Sequence, residues 1–83
     1  MRILANDAHS RLFAAECSHI YYDMRIRAAV METDRGPYIA PGLSASQADD
    51  LIRTMFLTDR ADLTPYGKVY TEEEYAQTDT GIF

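Results

Sequence analysis

The 83-residue chain has no tryptophan, a single cysteine, three prolines and four glycines. One cysteine, Cys17, excludes an internal disulfide and agrees with a reducing compartment. No stretch approaches the ~20 consecutive apolar residues that a membrane helix needs. The opening run, Met1 to Leu12, has no apolar core of signal-peptide length and meets Asp7 early. The expectation is therefore a cytoplasmic protein with no membrane association. There is no glycine-rich phosphate loop, no internal repeat, no low-complexity segment and no linker.

What is present is a folding composition. Apolar residues make up 47% of the chain, which excludes a disordered protein. The length predicts one domain spanning residues 1–83. A chain of this size buries only about 60–65% of the surface its unfolded form exposes, so its stability is marginal. Without a disulfide, the expected supplement is self-association or docking on a partner.

The net charge of −5 is unevenly distributed. Residues 1–43 carry five Arg and five acids and sum to zero. Residues 44–83 carry three cations, Arg53, Arg60 and Lys68, against eight acids, and hold the whole imbalance. Such a surface repels phosphate backbones, so direct nucleic-acid binding is not expected. It favours a basic partner.

The clearest helical signal lies in Ser46 to Leu57. Ala48, Leu51, Ile52, Met55 and Phe56 fall at i, i+3, i+4, i+7 and i+8. Ser44 with Gln47 makes a capping box, and Ser46 with Asp49 a rival one. Asp49 and Asp50 are placed in the first turn, facing the helix dipole, and Asp49 with Arg53 makes an i,i+4 pair.

Asp7 to Glu32 reads in two ways. Phe13, Cys17, Ile20, Met24, Ala28 and Met31 step by three or four, which describes a helical stripe capped by Asp7. Met24, Ile26, Ala28 and Val30 alternate with Arg25 and Arg27, which describes a strand before the turn Asp34-Arg35-Gly36-Pro37. The step-of-four stripe favours one long helix. The expected fold is thus mostly α: a long N-terminal helix on the Ser46–Leu57 helix, with a short third helix after a second capping box, Thr71 with Glu74. The alternative is α+β, with a small hairpin around residues 24–40. The last residues, ending in Ile82 and Phe83, are expected to fray unless they fold back.

Several constellations could carry chemistry. Asp62 to Glu73 resembles in outline the EF-hand calcium loop. Asp62 falls at the first position, Gly67 at the sixth, Val69 at the eighth and Glu73 at the twelfth. Thr64, Tyr66 and Tyr70 stand where stronger oxygen ligands belong, and Pro65 stiffens the loop. A rigid Pro-Tyr-Gly turn into a capped helix accounts for the stretch better. Glu16 with His19 is half of a di-iron carboxylate motif, but the chain has too little helix for the remainder. Cys17 and Ser10 are conceivable nucleophiles with His9 or His19 as base. Cys17, however, sits on the apolar stripe, where a thiol is inert packing. No enzyme, metal site or cofactor is expected.

The tyrosines are more informative. Three of the six, Tyr66, Tyr70 and Tyr75, are interleaved with Glu72, Glu73 and Glu74. Tyrosine supplies large contact area with few rotors and is enriched at interface cores. The resulting expectation is a non-catalytic binding protein that occupies a basic surface of a larger protein, its carboxylates standing in for phosphates. Asp49, Asp50, Tyr66, Tyr70, Glu72, Glu73 and Glu74 are the predicted contacts. Small acidic inhibitors of host defence encoded by phages or plasmids are the class-level analogy. Two alternatives are a homo-oligomeric structural subunit, possible as a homodimer, that buries Met24, Ala28 and Met31 between chains, and a degenerate calcium module at 62–73.

Overall fold

In a computed structural model of the chain, residues 1–78 are described. They form β1 (Arg2–Asn6), β2 (Leu12–Asp23), β3 (Ala28–Thr33), β4 (Gly36–Ala40), α1 (Ala45–Thr58), β5 (Arg60–Asp62), a 3-10 turn (Thr64–Tyr66), β6 (Tyr70–Thr71) and α2 (Glu72–Thr78). The expected ending at Ile82 and Phe83 lies outside these residues. The fold is mostly β, which corrects the mostly α expectation. The predicted long helix over Asp7–Glu32 is two strands; of the alternative hairpin around 24–40 only the pairing of Ala28–Thr33 with Gly36–Ala40 is present, because residues 24–27, expected as an alternating strand, form the turn between β2 and β3.

The strands make one six-stranded sheet in the order β5-β1-β2-β3-β4-β6. β1 to β4 form an antiparallel meander, β5 adds parallel to β1, and β6 adds antiparallel to β4. Each tight turn has a local cause. Between β1 and β2, Asp7 Oδ1 accepts from the N–H groups of His9 and Arg11, both at 2.9 Å. Asp7 thus satisfies backbone donors, as an N-cap would, but in a turn. Between β3 and β4, Gly36 has φ 101°, and Thr33 Oγ1 donates to the Gly36 carbonyl at 2.7 Å.

β2 explains the misleading stripe. Its lower half pairs with β1 through Glu16, and its upper half with β3 from Cys17 to Asp23. The register shifts between Cys17 and His19, a β-bulge at Ser18. Ala15 and Cys17 are buried below the bulge, and Ile20 and Tyr22 pack on the same core above it. The bulge inserts a spacing of three into a period of two, which imitates a helical repeat.

The main core joins Ile3, Ala5, Ala15, Cys17, Ala29 and Met31 of the sheet with Ala48, Leu51 and Met55 of α1. A second cluster, Ala28, Val30 and Ile39 with Ile26 and Tyr75, occupies the other face of β3 and β4. Side chains alternate across a strand, so α1 and α2 cover opposite faces of β3. Ala28 and Met31, expected between chains, are fully buried within this one, whereas Met24 is 72% exposed in a turn.

α1 carries the chain from β4 across the sheet to β5. Its capping box is Ser44 with Gln47, as the spacing predicts. The helix starts at Ala45, so Asp49 and Asp50 lie in its second turn, not the first. Asp59 ends it in the left-handed conformation (φ 62°), its N–H donating to the Met55 carbonyl. Beyond β5 the chain keeps to β1: the Leu63 and Val69 N–H groups donate to the Leu4 and Asn6 carbonyls, both at 2.8 Å. Then Tyr70 pairs with Ile39 on β4. One segment therefore touches both ends of the meander and curls the sheet towards a closed barrel.

Replacing Met31 with alanine should cost about 2–5 kcal/mol, because it leaves a cavity in the core. Met24→Ala should stay within about 0.5 kcal/mol. Denaturant unfolding of the two variants checks this; equal costs would contradict the strand assignment.

Candidate functional site

The predicted contact residues do not form one surface. Asp49 and Asp50 are exposed on α1, whereas Glu72, Glu73 and Glu74 begin α2 on the opposite face of β3. Tyr66 and Tyr70 are half-buried between them in sequence, and Tyr66 packs against the main core. Asp49 is held by Arg53 at 3.1 Å. Glu74 is engaged in the second capping box: its Oε1 accepts from Thr71 N–H at 2.9 Å, while Thr71 Oγ1 accepts from Glu74 N–H at 3.2 Å. Its other oxygen lies 3.8 Å from His9 Nε2. Asp50, Glu72 and Glu73 are exposed and meet no cation among the described residues.

The outline of a calcium loop dissolves into parts of four elements. Residues 62–73 run from the end of β5 through the 3-10 turn and β6 into α2, and a strand, not a helix, leads into them. Asp62 Oδ1 accepts from Thr64 Oγ1 at 2.6 Å and from Thr64 N–H at 2.9 Å. These bonds, the hydroxyl first, hold its carboxyl below the usual aspartate range. Glu16 bonds the N-terminal ammonium at 3.1 Å, and Asp23 bonds Arg25 at 3.3 Å. Among the described residues no group of three His, Cys, Asp or Glu is arranged to hold a metal. Cys17 is buried, His19 is exposed, and burial pushes the thiol upward, away from the thiolate a nucleophile needs.

Phe56 departs from its predicted place, and Leu57 joins it at the surface. The spacing assigns Phe56 to the core face of α1, but Phe56 is 86% and Leu57 78% exposed. Only Ala48, Leu51 and Met55 are buried on this helix. Ile52, Phe56 and Leu57 make a second apolar stripe, bordered by Asp49 and Arg53. The spacing could not reveal this, because i, i+3, i+4, i+7 and i+8 is the ordinary pattern of one core-facing stripe. This small exposed apolar group is the candidate contact surface on α1.

No family model, no curated protein and no solved structure matches the chain.

The acids that hold turns set an acid limit on stability. The N–H of Arg11, first among its causes, lowers the Asp7 carboxyl, and the Arg25 side chain lowers Asp23. A carboxyl lowered by folding contributes stability that is complete above its unfolded value. That stability is lost as pH falls through the folded one. The Tm should therefore decline as pH falls below about 4. Asp7→Asn should flatten that decline; an unchanged pH profile would contradict the role given to Asp7.

Proposed function

We propose that the protein is a non-catalytic binding protein, an inhibitor or regulator acting in the cytoplasm. On this reading it occupies a basic surface of a larger protein, of the kind nucleic acid contacts. The exposed Phe56 and Leu57 on α1, beside Asp49 and Asp50, carry the reading. An aromatic anchor surrounded by charge is the usual make-up of a binding hot spot and its rim. The acids would speed encounter with a basic partner and select against acidic ones. Glu72 and Glu73 add an acidic edge on the other side of the sheet, so the contact has two possible faces, with α1 the better anchored.

The test is recovery of the partner from the native host, followed by titration of the purified pair. Phe56→Ser should weaken binding by roughly tenfold or more, as loss of a hot-spot aromatic does. Asp49→Lys with Asp50→Lys should slow association, and added salt should do the same to the parent protein. Glu72→Lys with Glu73→Lys reports on the α2 face. A partner whose affinity ignores salt, the α1 variants and the α2 variant alike would refute the proposal.

A further inference from the structure

A different surface, the upper edge of β2, carries an inference that does not depend on the proposed function. β1 pairs with Leu12–Glu16 and no further, while β3 covers only one side of Cys17–Asp23. The edge beside Cys17 is closed, because its N–H donates to the Met1 carbonyl. From Ser18 to Asp23 no strand lies on the β1 side among the described residues. In an antiparallel ladder alternate residues turn N–H and C=O to opposite sides, so this stretch offers unpaired main-chain groups along its open side.

Such edges are normally blunted by lysine, proline or inward charge. The bulge at Ser18 twists only the lower end of this edge; His-Ile-Tyr-Tyr, 19–22, contains no lysine, proline or inward charge and is rich in strand-forming residues. His19 and Tyr21 already stand together on the outer face, their rings 5.3 Å apart.

We infer that this edge pairs with the same edge of a second copy, antiparallel about a two-fold axis. Two constraints set the register. Facing residues must lie on the same side of the joined sheet, and Met1 bars pairing at Cys17. Tyr21 then faces Tyr21 of the other copy on the axis, and Ile20 faces Tyr22. His19 faces Asp23, whose carboxylate is already bonded to Arg25, twice by symmetry. No like charges meet across the ladder, and the aromatic pair adds to it. A foreign strand would find the same main-chain groups but not this matching of side chains, so the second copy is the better occupant.

Sedimentation velocity over a range of protein concentrations, combined with amide hydrogen exchange, tests the inference. The full chain should pass from monomer to dimer as concentration rises. Exchange at Ile20–Tyr22 should slow in step. Tyr21→Lys, which puts two ammonium groups face to face, should weaken the dimer by roughly tenfold or more. Phe56→Ser should leave it intact. A monomer at every concentration would overturn the inference. So would a dimer that Phe56→Ser abolishes and Tyr21→Lys does not. If Tyr21→Lys fails to fold, the parent protein still decides the matter. A dimer without protection at Ile20–Tyr22 would refute this edge as the contact.

Discussion

The fold depends on one passage of chain, residues 60–71, which bonds to β1 at its start and to β4 at its end. A four-stranded meander with α1 on one face would leave both outer edges open and much of the core wet. Strand edges tied to a common segment force the sheet to curl, and curling creates an interior. Leu63 and Val69 fill that interior from the closing segment and are essentially inaccessible. Between them the 3-10 turn brings the Tyr66 carbonyl against Gly42, where any Cβ would overlap it. Gly42 lies just after β4, so this contact fits the closing segment against the exit of the meander. In a chain too short for a large core, closure does what a disulfide does elsewhere.

Parts of this structure were legible in the sequence because their causes are local. The capping boxes at Ser44 and Thr71, the Asp49–Arg53 pair and the turn at Gly36 each rest on contacts within a few residues. β2 was not legible for an equally physical reason. Its bulge at Ser18 placed Phe13, Cys17 and Ile20 at steps of four and three, and period alone could not separate that from a helix. The closure was invisible altogether. Nothing in Asp62–Thr71 announces that β1 lies on one side and β4 on the other, since those pairings are long-range.

The candidate site shows the same division. Acids that seemed to form one patch serve different ends. Asp62 and Glu74 satisfy backbone donors, while Asp50, Glu72 and Glu73 are exposed. Their separation by the sheet rules out a single row of carboxylates. On the proposed reading, the apolar stripe on α1 would move the weight of the interaction from charge to contact area, with charge setting the choice of partner. The open edge of β2 is a separate surface, and its chemistry is that of the main chain.

Closure is tested most directly by Gly42→Ala. The added methyl has no room against the Tyr66 carbonyl, so the closing segment must move away from β4. The account predicts a loss of about 1–3 kcal/mol in unfolding free energy. That should appear as a Tm drop on the order of 4–8 °C per kcal/mol for a domain of this size. Faster amide exchange at Val69 and Tyr70 should accompany it. An alanine variant with the parent's Tm and exchange pattern would show that the fold does not depend on this closure.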